Sequence, residues 1–458
     1  MTIGKLYEIF LQHRVITTDS RDCAEGSIFF ALKGDNFNGN RFALAALEKG
    51  CAYAVVDEEP SLEGHEPLAL RERLIVVNDV LMTLQQLAHL HREKFSGPVI
   101  QITGTNGKTT TKELVSAVLA QKYNVLYTHG NLNNHIGVPK TLLRLTAEHD
   151  IAVIETGANH PREIAALAEI VDPDCGLITN VGVAHIEGFG SFEGVLKTKG
   201  ELYDYLRAKA ASRQGAAEIF LNADNPHLVG LAGGLNAITY GGLGRGYDVE
   251  GEVVECAPLL KMRYRCGGKC SRQLDNAIHE VQTHLIGAYN VDNVLAAVCV
   301  GLHFGVEPEQ IDAALANYVP TNNRSELRET ERNTLIVDAY NANPSSMAAA
   351  LDNFALATPP SGRRKMLILG DMRELGDISV REHARVVQKL EELFGAAQEG
   401  LDSVWLVGEN FCSLNPPFRT FADVAEVKAE LELAPLAERF ILIKGSNGTR
   451  LFELPAVL

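Results

Sequence analysis

The sequence predicts an α/β protein of three domains built on parallel β-sheets. Its 458 residues are too many for one compact core and correspond to about three domains of roughly 150 residues each. Short apolar runs alternate with helix-like stretches along most of the chain, which is the pattern of strand–helix–strand units. A glycine-rich turn between one such strand and helix fits the same pattern.

Composition and charge limit the classes of partner. Apolar residues make up 46% of the chain and charged residues 22%, which is ordinary for a soluble globular protein. The formal net charge of −16 argues against nucleic acid and anionic membranes as partners, because an acidic surface repels both. The chain shows no secretory leader pattern and no run of about 18 apolar residues. We therefore expect a cytoplasmic protein, active as a monomer, that binds neither nucleic acid nor membrane.

The first predicted domain, residues 1–95, is a small α/β domain. Short apolar runs at 27–32, 52–56 and 74–77 predict strands, and helix-like stretches separate them. The run Ser96-Gly97-Pro98 then breaks the pattern and indicates a domain boundary.

The second predicted domain, residues 96–319, begins with a turn suited to bind phosphate. The apolar run 98–102 predicts a strand, and apolar residues at helical spacing between 114 and 119 predict the helix after the turn. The turn consists of Gly104, Thr105, Asn106, Gly107, Lys108, Thr109 and Thr110. Glycines let the backbone approach a phosphate, the helix N-terminus supplies N–H groups, lysine supplies positive charge, and threonine hydroxyls can hold Mg²⁺. We therefore expect the chain to bind a nucleoside triphosphate.

The spacing of this turn differs from the general phosphate-loop pattern, G-x-x-x-x-G-K-[ST]. Gly104 stands only three residues before Gly107. The alternative is a glycine-rich strand–helix turn with an incidental lysine. The order strand, turn, helix favours phosphate binding.

Two further strands of this domain, predicted at 151–154 and 177–178, end in polar residues. Glu155 follows the first and His185 lies beyond the second, and ligands collect at the carboxyl ends of strands in open parallel sheets. Glu155 could ligate Mg²⁺, which favours carboxylate oxygens, or it could be a solvated strand-end residue. His185 could equally be structural. Lys199 looks like an exposed lysine on a helix.

Residues 248–285 interrupt the alternation with alternating apolar and polar residues, which predicts antiparallel strands that cover an edge of the sheet. The third predicted domain, residues 320–458, returns to strand–helix alternation and predicts a second doubly wound, Rossmann-like parallel sheet. Its strands are predicted at 335–337, 366–369, 404–407 and 440–443.

The turn at 103–110 is one of several motifs that together resemble a known family. The others are 18–21, 26–29, 131–139, 155–157, 180–185 and 287–293. Together they are similar to the Mur ligase family, the ATP-dependent amide-forming enzymes of peptidoglycan assembly, whose relatives include folylpolyglutamate synthase. The resemblance implies an N-terminal domain that binds the UDP part of the substrate, a central ATP-binding domain, and a C-terminal domain that binds the incoming dipeptide.

Two C-terminal stretches indicate one branch of that family. The runs Asp-Ala-Tyr-Asn-Ala-Asn-Pro-Ser-Ser-Met at 338–347 and Leu-Gly-Asp-Met-Arg-Glu-Leu-Gly at 369–376 resemble the branch that adds D-Ala-D-Ala to UDP-N-acetylmuramoyl-tripeptide. The branch that adds the third amino acid typically carries Asp-Asn-Pro-Arg, which this sequence lacks. One departure is Asn447, where the family often has arginine, and Arg450 is the nearby candidate to replace it.

The resemblance also implies a mechanism and roles for individual residues. The tripeptide carboxylate would attack the γ-phosphate of ATP, while Lys108, the loop N–H groups and two Mg²⁺ ions neutralise the charge. The implied catalytic residues are Lys108, His185 and Lys199, and the implied metal ligands are Thr109, Glu155, His185 and a carbamylated Lys199. The implied contacts are Asn290, Asn293, Arg324 and Asp338 for ATP, and Ser20, Arg21, Asn133, Asn134, Tyr340, Asn341 and Asn343 for the other substrates.

Other interpretations stay open on the sequence alone. Within the enzyme class they are the third-residue ligase and a folylpolyglutamate synthase, and the block at 18–21 argues against the folate enzyme. From a different class, the chain could be an ATP-gated binding protein without ligase activity. The joint presence of Lys108, Glu155, His185 and Lys199 disfavours that possibility. The sequence does not distinguish diaminopimelate from lysine as residue three of the accepted peptide.

Overall fold

The structure is a computed structural model that describes residues 1–34, 36–58, 68–213, 217–270, 277–321, 323–360, 362–394 and 401–458. Backbone contacts divide the chain into two compact units. Unit 1 comprises Met1–Ile102, Tyr123–Ala158 and Glu163–Cys175. Unit 2 comprises Thr103–Lys122, Asn159–Arg162 and Gly176–Leu458.

The N-terminal part of unit 1 is a four-stranded parallel sheet with helices. Its strands are β1 (Ile16–Thr17), β2 (Ile28–Phe30), β3 (Lys33–Gly34), β4 (Phe37–Asn38), β5 (Tyr53–Val56) and β6 (Leu74–Val76). Its helices are α1 (Ile3–Gln12), α2 (Ala43–Glu48), α3 (Leu68–Arg71) and α4 (Val80–Glu93). The sheet has the order β1-β2-β5-β6, while β3 and β4 form a separate antiparallel hairpin. The strands predicted at 27–32, 52–56 and 74–77 are thereby confirmed.

The next stretch carries the glycine-rich turn. Its elements are β7 (Val99–Thr103), α5 (Lys108–Leu119), β8 (Val125–Tyr127), α6 (Gly137–Leu142), β9 (Ile151–Glu155), α7 (Glu163–Val171), β10 (Cys175–Ile178), α8 (Ile186–Phe189) and α9 (Phe192–Arg213). In unit 1, β9 pairs in parallel with both β7 and β8. Every residue of β7 and β9 is buried, which explains why both read as continuous apolar runs.

The stretch from 218 to 317 extends a sheet in unit 2. Its elements are β11 (Glu218–Asn222), α10 (Pro226–Leu231), β12 (Asn236–Gly242), β13 (Val249–Cys256), β14 (Leu259–Cys266), β15 (Ile278–Ile286), α11 (Val291–His303) and α12 (Pro308–Asn317). These strands follow the order β15-β14-β13-β12-β11-β10. The prediction of antiparallel strands that cover an edge of the sheet is confirmed. β13 pairs with β12, and β14 and β15 continue from it in antiparallel order.

The C-terminal sheet of unit 2 has six strands. Its elements are β16 (Glu326–Glu329), β17 (Asn333–Asp338), α13 (Pro344–Leu356), β18 (Arg364–Gly370), α14 (Ser379–Phe394), β19 (Leu401–Val407), α15 (Glu409–Ser413), β20 (Arg419–Phe421), α16 (Val424–Leu433) and β21 (Arg439–Lys444). The order is β16-β17-β21-β18-β19-β20, all parallel except the edge strand β16. The predicted parallel sheet is confirmed with this antiparallel edge added. The carboxyl ends of β17, β21 and β18 therefore lie side by side.

The cores explain how these elements are held. In unit 1, Leu84 and Leu87 of α4 share one apolar cluster with Val138 and Leu142 of α6, so the N-terminal sheet and the β7–β9 segment have a common core. The C-terminal sheet has apolar clusters on both faces, as a doubly wound sheet requires. Among the described residues, no helix is long and apolar enough to cross a membrane.

Candidate active site

The phosphate loop at 104–107 connects β7 to the N-terminus of α5 and is anchored by the end of β10. Backbone N–H groups of Thr105 and Asn106 donate to the Asn180 carbonyl and side-chain oxygens, both at 3.0 Å. In return, the Asn106 carbonyl accepts from the Thr179 hydroxyl at 2.6 Å and from the Asn180 amide at 3.0 Å. These four contacts fix the loop before any ligand arrives. The sequence analysis did not assign Thr179 or Asn180 to the site, although both follow a predicted strand.

Gly107 ends the loop in a conformation that other residues rarely adopt. Its φ is +76°, and a Cβ there would lie 2.5 Å from Oδ1 of Asn293. Glycine is therefore required both by backbone angle and by space. The next residue, Lys108, opens α5, whose first-turn N–H groups have no acceptor within the helix.

Lys108 lies against the loop that it follows. Its ammonium donates to the carbonyl oxygens of Gly104 at 2.9 Å and of Thr105 at 3.0 Å. Thr109 is buried and Thr110 half-buried on the first turn of α5. The loop therefore gathers one cation, two hydroxyl groups and a helix N-terminus, which is the donor set that a polyphosphate needs.

Asn290 and Asn293, expected to contact adenine, form a buried chain behind the loop. The Asn293 amide donates to Asn290 Oδ1 at 2.7 Å, and the Asn290 amide donates to the Ile286 carbonyl at 2.8 Å. Asn293 Oδ1 accepts from the Thr111 hydroxyl at 3.0 Å. This chain connects the start of α11 to the first turn of α5 and supports the Gly107 turn.

Glu155 ends β9 in unit 1 and is fully buried, with 0% exposure. Its Oε1 accepts from the Asn133 amide at 2.8 Å. The alternative of a solvated strand-end residue is therefore wrong, because the strand ends inside the unit rather than at its surface. Asn134, by contrast, uses its Oδ1 to accept the first backbone N–H groups of α6 at 2.9 and 3.1 Å. Asn133 thus orients a carboxylate, and Asn134 caps a helix.

Ser20 and Arg21 follow β1 in the same unit. The Arg21 guanidinium pairs with Asp19 at 2.8 Å, and the hydrogen bonds from Arg21 hold the pKa of Asp19 well below its usual range. The Arg21 side chain is 88% exposed. The Ser20 carbonyl accepts from Lys49 at 2.7 Å. Both residues therefore lie at a solvent-exposed strand end that a substrate can reach.

His185 stands at the start of α8 in a left-handed conformation, with φ +51°. Its Nδ1 contacts Oε2 of Glu374, from the segment after β18. The hydrogen bond with His185 lowers the pKa of Glu374. Sequence reasoning missed Glu374 because nothing in the pattern relates residues so far apart in the chain.

Lys199 is buried on α9, with 2% exposure, and its ammonium lies 5.5 Å from the centre of the Phe189 ring. The expectation of an exposed helical lysine is wrong. The neighbouring Thr198 and Tyr203 are buried as well, so this side of α9 faces the interior. A buried lysine is costly to maintain without a function, since burial disfavours its charged form.

The carboxyl ends of β17 and β21 bring together an ion pair. Lys444 Nζ lies 2.5 Å from Asp338 Oδ2, and the two residues stand opposite one another in the strand register. Beside them, the Arg324 guanidinium stacks 4.1 Å above the Tyr340 ring. Arg324, Asp338 and Tyr340, all predicted site residues, thus lie at one edge, and Lys444 joins them as a residue that sequence analysis did not assign.

Asn343 connects the C-terminal sheet to the phosphate loop. Its Oδ1 accepts the Ser346 N–H at 2.9 Å and so caps α13, while its Nδ2 donates to Asn106 Oδ1 at 2.7 Å. Nearby, the Val183 N–H donates to the Ser345 hydroxyl at 3.3 Å. Asn341 is exposed at the same edge. The structure therefore places the predicted dipeptide loop directly against the predicted ATP loop.

The segment after β18 is held by buried polar groups. Asp371 accepts from the backbone and amide of Asn410 at 3.0 and 2.8 Å. The fully buried His383 accepts the Met372 N–H at Nε2, 3.0 Å away, and donates from Nδ1 to the Ser379 carbonyl at 2.8 Å. Burial lowers the pKa of His383, which favours the neutral ring that can accept at Nε2. The segment from Asp371 to Glu374 is thereby fixed in place.

Comparisons with known proteins agree with this geometry. The chain matches three family models, described as "Mur ligase family, catalytic domain" at 13–92, "Mur ligase middle domain" at 102–301, and "Mur ligase, glutamate ligase domain" at 323–447. It is 33% identical to the UDP-N-acetylmuramoyl-tripeptide--D-alanyl-D-alanine ligase of Escherichia coli K12, over 99% of this chain and 96% of that protein.

Solved structures agree as well. The chain is similar to a crystal structure of MurF from Acinetobacter baumannii, with a TM-score of 0.80 and 30% identity over 96% of this chain and 92% of that one. It is also similar to the MurF ligase from Thermotoga maritima in complex with ADP, with a TM-score of 0.80 and 25% identity over 98% and 97% of the two chains. The chain belongs to the Mur ligase family, and the three-domain α/β fold predicted from its sequence is confirmed.

Proposed function

We propose that the chain is an ATP-dependent, ADP-forming ligase that adds D-Ala-D-Ala to UDP-N-acetylmuramoyl-tripeptide in peptidoglycan precursor synthesis. The observation that carries the proposal is the Asn343–Asn106 hydrogen bond of 2.7 Å. It joins a phosphate loop to a polar loop of the kind that an incoming peptide needs. The names of the relatives described above support the same activity.

The reaction has two steps. The terminal carboxylate of the tripeptide attacks the γ-phosphorus of ATP, the bond to the bridging oxygen breaks, and ADP leaves. The amine of D-Ala-D-Ala then attacks the acyl carbon, phosphate leaves, and the amine loses a proton as the amide forms. The first step brings two anions together, the carboxylate and the γ-phosphate, so positioning and positive charge supply most of the catalysis.

Lys108 and the first turn of α5 are the parts of this chain that we propose to hold the β- and γ-phosphates. Lys108 is the only cationic residue of the loop. Asn290, Asn293, Arg324 and Asp338 are proposed to position the rest of the nucleotide, the two asparagines by bracing the Gly107 turn. Closure of the C-terminal domain would exclude water from a hydrolysable acyl phosphate.

We propose Mg²⁺ as the cofactor, a cation that prefers oxygen ligands. Thr109, Glu155, His185 and Lys199 are the proposed ligands, for two ions, and the metal would neutralise phosphate charge. Glu155 supports this assignment because a buried carboxylate held by Asn133 is pre-oriented. For Lys199 we propose carbamylation, since CO₂ converts a buried cation into a carboxylate that can support a metal.

The substrate-binding residues and domain bounds are also part of the proposal. Residues 1–95 would bind the UDP part through Ser20 and Arg21, residues 96–319 would bind ATP, and residues 320–458 would bind the dipeptide. Asn133, Asn134, Tyr340, Asn341 and Asn343 would contact the peptides. We also propose a cytoplasmic location, which fits the use of ATP. We further propose that the enzyme acts as a monomer, which sedimentation velocity would test.

A substrate-pair assay tests the function. ATP is supplied with UDP-tripeptide and either D-Ala-D-Ala or D-Ala, and separately with UDP-dipeptide and either diaminopimelate or L-Lys. Mass spectrometry identifies the product. We expect ligation of D-Ala-D-Ala and strong rejection of D-Ala, because a site built for a peptide bond leaves polar groups unpaired with one residue. Faster ligation with UDP-dipeptide would make the chain the preceding enzyme instead.

The carbamate has its own test. Lys199→Ala should be nearly inactive and partly rescued by acetate, which can replace the missing carboxylate in the vacated volume. Mass spectrometry of the intact protein under CO₂ should show an added carbamate that Lys199→Ala lacks. An unmodified, structural Lys199 predicts neither rescue nor added mass.

A further inference from the structure

Arg373 lies across the loop that follows β21. Its Nη2 donates to the Gly448 carbonyl at 3.1 Å, and its backbone N–H donates to the Ser446 hydroxyl at 3.0 Å. The approach is close enough that a Cβ at Gly448 would stand 2.4 Å from the guanidinium carbon. The cation therefore occupies the space beside Asn447, where the family often has arginine.

The same loops reach the proposed dipeptide site. The Ser446 hydroxyl, which anchors Arg373, also lies 3.4 Å from the carbonyl of Ala342. Ala342 stands between Asn341 and Asn343, the residues proposed to contact the dipeptide. The next residue after Arg373, Glu374, contacts His185. Arg373 is thus linked through Ser446 to the loop that carries the residues proposed to contact the dipeptide.

Charge distinguishes Arg373 from its neighbour Arg450. Arg450 donates from Nε to Glu453 at 2.6 Å, and Glu453 is also paired with Lys428. Within the part of the chain that the structure describes, Arg373 has no such carboxylate partner, and its side chain is exposed. A guanidinium has five N–H donors in a planar fork, and the Gly448 carbonyl takes only one of them. The remaining donors match a carboxylate.

We propose that Arg373, rather than Arg450, binds the terminal carboxylate of the incoming dipeptide. The inference rests on the proposed function and deepens it, since it names the group that selects an acceptor with a free carboxylate. The exposed Asn341 offers neutral hydrogen bonds for the peptide unit, and Arg373 supplies a positive charge for the carboxylate. Rejection of a dipeptide without that carboxylate follows from leaving the guanidinium unpaired.

The experiment measures KM for D-Ala-D-Ala and for D-alanyl-D-alaninamide, which lacks the carboxylate. The proteins are the full-length wild type, Arg373→Ala, Arg373→Lys and Arg450→Ala. Wild type should prefer the carboxylate, and Arg373→Ala should raise KM for D-Ala-D-Ala by about 10- to 100-fold. KM for the amide should hardly change, so the preference disappears. Arg373→Lys should keep part of the preference, because it keeps the charge without the fork.

Other outcomes overturn the inference. An unchanged KM for D-Ala-D-Ala in Arg373→Ala would do so, and a rise in Arg450→Ala alone would transfer the role to Arg450. Unchanged KM values for ATP and UDP-tripeptide in Arg373→Ala exclude a general disturbance of the fold. Failure of the wild type to ligate D-Ala-D-Ala would refute the proposed function itself, which this design separates from a failure confined to Arg373.

Discussion

Two glycine-rich turns of unit 2 lie next to charged side chains of opposite sign. One is the phosphate loop at 104–107. The other joins β12 to β13, where the N–H groups of Gly244, Gly246 and Tyr247 all donate to the side chain of Glu250. Arg265 adds a charge-assisted hydrogen bond to the same carboxylate at 2.7 Å.

The second turn has its anion within the chain. Burial alone would raise the pKa of Glu250, but the hydrogen bonds from the turn and from Arg265 outweigh burial and lower it to about 2. At the phosphate loop the corresponding charged group is a cation, Lys108, on carbonyl oxygens. The two turns therefore differ in the charge that the chain supplies. The β12–β13 turn binds an anion of the chain itself, whereas the phosphate loop has a cation and, as proposed, takes its anion from a ligand.

The largest expected effect is on the ligand-binding turn. Lys108→Ala removes the only cation of the loop and should lower kcat/KM by at least about 100- to 1000-fold, as for loss of a transition-state donor. Thermal unfolding of the variant without nucleotide should match the wild type. Steady-state rates of ADP formation measure kcat/KM. A folded variant with normal turnover would refute the assignment of this turn to phosphate.

In the β12–β13 turn, which binds the Glu250 carboxylate, a substitution should change the stability of the fold instead of the activity. Glu250→Gln should lower the free energy of unfolding at pH 7 by at most about 3 kcal/mol, since each pKa unit is worth 1.36 kcal/mol. The folded-state pKa is depressed, so the wild-type contribution is complete above about pH 4.5 and is lost as the pH falls towards 2. Urea unfolding at pH 7 and pH 3 should therefore show a difference that shrinks with acid. A difference independent of pH would mean that packing, not charge, explains it.

Glu155 is a second buried carboxylate, and it can be compared with Glu250 in its effect on the Mg²⁺ requirement. Glu155→Gln keeps the shape and the contact with Asn133 but removes the charge, so the Mg²⁺ concentration for half-maximal activity should rise by about 10-fold or more. A magnesium titration of the rate measures it. Glu250→Gln is the matched control and should leave the Mg²⁺ requirement unchanged. An unaltered titration for Glu155→Gln would exclude a metal role.

The smallest effects separate backbone strain from ligand binding. Gly107→Ala and Gly244→Ala each place a Cβ on a residue with positive φ, +76° and +84°, at a cost of about 1–2 kcal/mol. The Cβ added at residue 107 meets Asn293 Oδ1, whereas no atom lies within 4 Å of the Cβ added at residue 244. Thermal unfolding should show the larger loss for Gly107→Ala, whose Cβ also displaces Asn293, and nucleotide titration should show weaker ATP binding for Gly107→Ala alone. Equal ATP affinity would mean that the loop tolerates the shift of Asn293.

The sequence predicted the strands that are buried on both faces, and the structure explains why. Runs such as 366–369 and 440–443 lie in β18 and β21, where apolar side chains on both faces give a continuous signal. The two-residue β1 and the three-residue β20, with its two exposed residues, carry too little signal to be found. The edge strand β16 is short and half-exposed for the same reason.

Site residues follow a similar rule. Lys108 and Glu155 were predictable because each stands next to the strand that positions it. The Asp338–Lys444 pair joins residues 106 positions apart, and only the parallel pairing of β17 with β21 brings them together. The burial of Lys199 depends on what packs against α9, which no local pattern records. Local sequence patterns therefore do not predict long-range strand register or packing.

The Asn343–Asn106 hydrogen bond has a consequence for the two binding affinities. A nucleotide that moves Asn106 must also move the loop that carries Asn343, because the two side chains are hydrogen-bonded. That loop is the proposed binding site of the acceptor dipeptide. Thermodynamic linkage then requires reciprocity, so that any factor by which ATP changes acceptor affinity is the factor by which the acceptor changes ATP affinity. One amide contact thereby couples the affinity for the nucleotide to the affinity for the acceptor.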